Sequence, residues 1–218
     1  MQYLITGGPT REPIDQVRYI SNRSSGRMAV ALCRAAVDAG HEVTLLLGPC
    51  AAAPPEGVRL ERFESCAELE ELLDKHFASC DVLIMAAAVG DFRPVTVTSG
   101  KLPRREGAAP NLALEATPDL VAALAKCRSE RQRIVAFALE SPQHMEQRGA
   151  EKLCLKGVDA VVVNPLTTID SESIDPLWIT AAGGRDAPGA MSKEDFATWL
   201  LERVDEEFKG KARRHEGT

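Results

Sequence analysis

Four arginines, two serines and a glycine lie close together near the start of this chain. Residues 6–28 carry Arg11, Arg18, Arg23 and Arg27 and lead into Ser24-Ser25-Gly26. An apolar strand-like opening precedes this stretch and a helix-like run follows it. Connections of that kind normally take only a handful of residues, so a long polar loop here marks a place where chemistry is held. A helix N-terminus has unpaired backbone N–H groups that favour an anion, and the arginine fork matches phosphate oxygens. The loop therefore reads as a binding site for a phosphorylated substrate. Taken alone, Ser24 and Ser25 are equally ordinary helix caps. Gly7-Gly8 marks either a tight turn off the strand or a point where a ligand approaches the backbone closely.

Other residues of possible chemical use follow. Ala86-Ala87-Ala88-Val89-Gly90-Asp91 leaves the end of a strand, where ligands of open α/β sheets bind, although small residues there also permit close packing. Lys101 opens a charged run that reads alone as a solvated loop. Thr117-Pro118-Asp119-Leu120 has the form of a helix start, with threonine as cap and proline in the first turn. Lys152 and Lys156, four apart, reach one side of a helix. Phe137 lies in an apolar strand and reads as core. The four histidines are scattered, and none is placed as a general base.

These residues need a scaffold, and the hydrophobic pattern supplies one. Apolar segments of strand length recur at 2–6, 42–47, 59–63, 82–86, 133–138 and 160–163. Amphipathic helical stretches lie at 27–39, 66–77, 118–127 and 145–156. In the last of these Leu153 and Leu155 cannot share a face. Alternation of this kind gives βαβ units, hence a Rossmann-like, doubly wound and mostly parallel sheet. Segments 94–101 and 112–116 break the alternation and read as extended arms around a charged tip at 101–106, a β excursion acting as a flap over the site. Residues 177–180 read as a strand, Gly183-Gly184 as a turn, and Ser192 to Asp195 as a capping box opening a final helix. A single domain over 1–208 and a flexible basic tail over 209–218 are expected.

Composition narrows the class. With 218 residues, 44 % of them apolar and 27 % charged, the chain is long enough for one sizeable core. A net charge of −6 argues against a general nucleic-acid surface but not against anionic ligands in a local positive cleft. No apolar run is of bilayer length and no leader is visible, so a cytoplasmic protein is expected. Six scattered cysteines without a C-x-x-C pair read as free thiols. A dinucleotide site is disfavoured: Pro9 interrupts any G-x-G-x-x-G, and Leu46-Leu47-Gly48-Pro49 stands where an acidic ribose ligand belongs. No Tyr-x-x-x-Lys pair exists either, since Tyr3 and Tyr19 are the only tyrosines.

The strings GGPTREPID from Gly7, VRYISN from Val17 and SSG from Ser24 resemble the opening of the phosphopantothenate–cysteine ligase family of coenzyme A biosynthesis, also called phosphopantothenoylcysteine synthetases. The likeness continues through residues 86–94, Lys101, Thr117 to Leu120, Phe137, Lys152 and Lys156, and fades after Asn164. Pro103 and Arg104 stand where the family has lysines, and Ala136 where it has glycine.

That resemblance implies ligation of phosphopantothenate with L-cysteine through an acyl-cytidylate, using CTP and Mg²⁺ but no flavin. It implies Asn22, Arg18 and Lys101 as catalytic. It places the nucleotide on Ala86, Ala87, Ala88, Asp91, Lys101, Thr117, Pro118, Asp119, Leu120, Phe137, Lys152 and Lys156. Phosphopantothenate falls on Gly8, Arg18, Asn22, Ser24, Ser25 and Gly26. A homodimer through the β excursion is expected, and with Met1 directly before the first strand no decarboxylase domain is expected ahead of it. Left open are an ATP-using ligase and a nucleotide-binding relative with reduced catalysis.

Overall fold

Six apolar segments form the parallel strands of one sheet, because a strand buried on both faces needs side chains that lose nothing by leaving water. A computed structural model of the chain describes residues 1–103, 111–169 and 171–212, with only the backbone for 209–212. The parallel strands are β1 (Gln2–Gly7), β4 (Glu42–Leu47), β5 (Arg59–Arg62), β6 (Val82–Met85), β9 (Arg133–Glu140) and β10 (Ala160–Pro165). Two further strands, β12 (Leu177–Thr180) and β13 (Arg185–Asp186), extend the sheet antiparallel beyond β10. The order β13-β12-β10-β9-β6-β1-β4-β5 is the doubly wound arrangement, and it reverses direction between β1 and β6.

Helices cover both faces. On one, α1 (Arg27–Asp38) packs beside α5 (Lys193–Ala212), which buries Phe196, Leu200, Val204 and Phe208 at a spacing of four. On the other lie α2 (Cys66–Phe77), α3 (Leu120–Cys127) and α4 (Met145–Lys156). Ser192 opens α5 as expected: its Oγ accepts from the Asp195 N–H at 3.0 Å. All six cysteines are free thiols. Among the described residues no helix is long and apolar enough to cross a membrane.

Among the described residues, three short pairings lie outside the main sheet: β2 (Arg11–Pro13) with β3 (Tyr19–Ser21), β7 (Phe92–Pro94) with β8 (Leu114–Ala116), and β11 (Ser173–Ile174) with β14 (Met191–Ser192). The β excursion thus exists, but it starts earlier and is shorter than the sequence suggests. Past Pro94, among the described residues, only the Val95 N–H to Ala113 O bond (3.0 Å) prolongs the hairpin. The apolar alternation at Val95 and Val97 is not a strand, because Thr98 instead donates to Ile14 O (3.0 Å) in the first loop. The expected flap tip falls partly on 104–106, outside the described residues, as do Arg104 and Arg105. The final helix runs to Ala212, into the segment expected as a tail. Helix α3 starts at Leu120 rather than Pro118, with Asp119 as its cap: the carboxylate accepts from the Ala122 N–H at 3.1 Å, while the Thr117 hydroxyl donates to Gly90 O at 2.6 Å.

Helix α4 resolves its two leucines by turning Leu153 inward and leaving Leu155 83 % exposed. It approaches the sheet closely at Gly149, where a Cβ would lie 2.6 Å from Val163 Cγ2 and 2.9 Å from Ile179 Cδ1. Both neighbours are buried, and valine is stiff at χ1. Gly→Ala in an open helix stabilises by roughly 0.5–1 kcal/mol. Here overpacking should outweigh that gain, so Gly149→Ala is expected to destabilise by about 1 kcal/mol in urea unfolding. An increase in stability would show that α4 stands off the sheet.

Candidate active site

The loops leaving β1 and β6 meet where the sheet order reverses, and main-chain bonds fix the meeting. Ala88 N–H donates to Gly8 O (2.9 Å), and Thr10 N–H donates to Ala88 O (3.2 Å). The Gly90 N–H reaches Thr10 Oγ1 at 2.9 Å, and the Ala87 N–H reaches the buried Thr6 Oγ1 at 3.1 Å. The amides of Ala87 and Ala88 are thus engaged by the first loop. Gly8, at φ +75°, makes a close approach of backbone to backbone: a Cβ there would sit 3.0 Å from Gly48 O. Gly7 serves the same end, since its Cβ would lie 2.2 Å from the Ala29 Cβ on α1.

A cleft of about 720 Å³ opens over this meeting point. One wall is the start of α1, from Ser24 to Ala29, with Asn22 and Arg23 beside it. The cap position is Gly26 in the left-handed region (φ 72°), with no side-chain cap, and Ser25 Oγ lies 3.5 Å from the Arg27 N–H. The helix N-terminus therefore stays open to an anion. Asn22 Nδ2 donates to Val89 O (2.9 Å), which holds the amide between the two loops.

The opposite wall brings together Ala86, Ala87, Ala88 and Asp91 with Thr117, Pro118, Asp119 and Leu120. Phe137 stands on β9, and Lys152 and Lys156 reach over from α4. Both lysines are matched by carboxylates. Lys156 Nζ lies 2.9 Å from each oxygen of Asp119, and Lys152 Nζ lies 2.9 Å from Glu140 Oε1. Glu140 is buried and also meets Arg148 at 3.3 Å. Burial by itself would raise the Asp119 carboxyl, but the bonds from Lys156 and the Ala122 N–H hold it below its usual value.

Three expected residues, Gly8, Arg18 and Lys101, do not line this cleft. Nor do the four arginines act together. Arg23 and Arg27 line the cleft, and Arg27 meets Glu172 at 3.5 Å. Arg11 instead stacks on the Tyr19 ring (4.5 Å to its centroid) and faces Glu64 at 3.9 Å. Arg18 forms a 2.6 Å ion pair with Asp15 and reaches Leu102 O, which puts it beside Lys101.

Two cleft residues escape a reading of the sequence. Asn164, 7 % exposed, has an Oδ1 with no hydrogen-bond partner among the described residues. Lys193, at the start of α5, is a buried cation in the same wall. The signal for Asn164 was its place: a polar residue ending the apolar run Val161-Val162-Val163 at the carboxyl end of a strand.

Fold and cleft together define a doubly wound α/β protein with a cleft at the topological switch point, bordered by the start of α1 at one end and by lysines at the other. The chain belongs to the DNA/pantothenate metabolism flavoprotein C-terminal domain family, which matches residues 1–208. It is 31 % identical to the C-terminal domain of the coenzyme A biosynthesis bifunctional protein CoaBC in a crystal structure, with a TM-score of 0.83 and coverage of 96 % of both chains. It is also 38 % identical over 209 residues to the CoaBC protein of Vibrio cholerae serotype O1, covering 94 % of this chain and 52 % of that protein. A protein named cysteine/cysteine sulfinic acid decarboxylase, from an unknown prokaryotic organism, is 42 % identical over 163 residues, which are 74 % of this chain and 45 % of that protein. The chain spans about half the length of these curated relatives.

The Asp15 carboxyl offers a test of the local electrostatics. Burial pushes it up, yet the N–H groups of Leu102, Val17 and Arg18 and the Arg18 guanidinium bring it from the usual 3.8 to about 2. A carboxyl depressed in the folded state adds stability that is present above its unfolded value and lost as pH falls toward its folded value. Wild-type stability in denaturant titrations should therefore fall more steeply between pH 4 and pH 2 than that of Asp15→Asn. Parallel acid limbs would show that this carboxyl is not held ionised.

Proposed function

We propose that this chain joins phosphopantothenate to L-cysteine, with CTP as the activating nucleotide, in coenzyme A biosynthesis. The observation that carries the reading is the polarity of the switch-point cleft. An uncapped helix N-terminus with Arg23 and Arg27 sits at one end, Lys152 and Lys156 at the other, and the neutral amide of Asn22 beside them. Two phosphorylated substrates need two cationic ends, and the bond-forming carbon belongs between them.

In this reading a carboxylate oxygen of phosphopantothenate attacks the α-phosphorus of CTP, and pyrophosphate leaves. The cysteine amine then attacks the acyl carbon of the resulting acyl-cytidylate, CMP leaves, the amide forms and a proton is released. The chain supplies no nucleophile; it aligns the reactants and stabilises phosphoryl and oxyanion charge. Asn22 donates to the acyl phosphate without adding charge, and Phe137 and Asn164 border the base. Lys156 exchanges its exposed carboxylate partner for nucleotide phosphates, and Lys152 reaches them while it stays paired with Glu140. Arg18 and Lys101 add cationic charge from the neighbouring loop. Mg²⁺ fits the donor set, because it commonly takes one or two carboxylates together with substrate phosphates. Asp91 and Asp119 are the carboxylates that line the cleft. When bound, the ion would neutralise phosphate charge.

A homodimer through the two small hairpins accompanies this reading. Val17 and Tyr19 on one, and Phe92, Val95, Leu112 and Leu114 on the other, are large apolar side chains left exposed. Such a grouping suits burial against a second copy.

Pyrophosphate release that requires both phosphopantothenate and CTP tests the assignment, with CTP expected to be used at least roughly tenfold better than ATP, about 1.4 kcal/mol of discrimination. Release without phosphopantothenate would overturn ligation, and equal use of ATP would overturn the choice of base. Asn22→Asp should remain folded, consume CTP and accumulate acyl-cytidylate detectable by mass spectrometry, because a carboxylate has no N–H to donate to the charge that develops when cysteine attacks. Normal amide formation by this variant would remove Asn22 from the chemistry.

A further inference from the structure

Asp15 takes no part in the chemistry above, yet it is the most heavily bonded side chain of the first loop. Its side chain is 0 % exposed although it stands in a polar turn between β2 and β3. Oδ1 accepts from the N–H groups of Val17 (2.7 Å) and Arg18 (2.8 Å). Oδ2 accepts from Arg18 Nη1 (2.6 Å) and from the Leu102 N–H (3.0 Å). The same guanidinium donates to Leu102 O from Nη1 and Nη2, at 3.3 and 3.4 Å. Carboxylate and guanidinium thus grip the N–H and the C=O of one residue, Leu102. Two main-chain bonds reinforce the join, Thr98 N–H to Ile14 O (3.0 Å) and Gln16 N–H to Gly100 O (3.3 Å).

A turn built by aspartate requires only the bonds to Val17 and Arg18. The bond to Leu102 lies outside that need, and it joins segments far apart in sequence. Lys101 immediately precedes the gripped residue. We infer that Asp15 is a positioning residue for ligation, whose carboxylate holds Arg18 in place and fixes the backbone that carries Lys101. This rests on the reading that Arg18 and Lys101 act in ligation. A charged acceptor suits the task because four donors converge on it and bonds to an ionised acceptor are short and strong. Its low pKa keeps that acceptor ionised throughout the physiological range.

Asp15→Asn separates the two roles. The amide oxygen can keep the turn bonds, while its NH₂ meets the N–H of Leu102 and the Arg18 guanidinium donor against donor. The variant should fold, with a lower melting temperature than wild type because it loses the stability that the ionised carboxyl adds. Its ligation kcat should fall about tenfold, with each KM within about threefold, as expected for a lost transition-state arrangement. Hydrogen exchange at the Leu102 amide should quicken. In a background that carries both Arg18→Gln and Lys101→Gln the same change should cost less than about twofold more, since residues acting through one another are not additive. Wild-type kcat, full multiplication of the two losses, or unchanged exchange at Leu102 would each overturn the inference. Should Asp15→Asn fail to fold, Leu102→Pro removes that single donor, and wild-type ligation by it would overturn the inference equally. A wild-type protein without ligation would strike the functional reading instead, and exchange at Leu102 would then decide the tie alone.

Discussion

Everything at the site depends on the main-chain lattice joining the loop after β1 to the loop after β6. Ala88 pairs with both Gly8 and Thr10, while Thr6 and Thr10 take the N–H groups of Ala87 and Gly90. These bonds are possible because Gly7, Gly8 and Gly48 let backbone and helix approach where a Cβ would collide. Buried main-chain groups must be paired, so the lattice also satisfies donors that the strand ends would leave unmet. Once it is set, the start of α1 and the start of α3 face each other across a single cleft.

Charge is the second theme. In and beside the cleft, several cations meet carboxylates: Lys156 with Asp119, Lys152 with Glu140, Arg27 with Glu172 and Arg18 with Asp15. Exposed pairs of this kind contribute little to stability, so their interest lies in placement. Each holds a long side chain near the cleft before any ligand arrives, which reduces the ordering that binding must supply. A polyphosphate competes with those carboxylates, and the weakly held, exposed pairs are the ones it can displace. The buried pairs differ. Asp15, and Glu140 behind Lys152, hold a geometry, because a buried carboxylate deprived of its partners would be left uncompensated.

Much of the scaffold was legible in the sequence. The limits of β4, α2, α4 and β12 agree with their hydrophobic patterns, and the strand–helix alternation led directly to a doubly wound sheet. Errors arose where a local pattern met a stronger distant partner. Val95 and Val97 alternate like a strand, but Thr98 and Gly100 pair with the first loop. Thr117 has the look of a cap, yet its hydroxyl is taken by Gly90 O and Asp119 caps the helix instead. Strand ends were also read short: β9 runs to Glu140 and β10 to Pro165, and the polar residues in those extensions, Glu140 and Asn164, are the ones that matter to the cleft.

By itself, then, the sequence determined which chemistry was available: arginines, a helix start with serine and glycine, small residues at a strand end, and two lysines one turn apart. These follow from residue type and short-range spacing, which periodicity carries faithfully. The tertiary structure alone decided which of them share a cleft. It brought Asn22 to Val89, set Lys152 and Lys156 against carboxylates from other elements, took Arg11 and Arg18 away from the cleft wall, and buried Asp15 between Arg18 and Leu102. Those pairings join residues distant in the chain, and no local pattern encodes the partner, because a side chain's hydrogen-bonding capacity says how many bonds it needs but not from where they come.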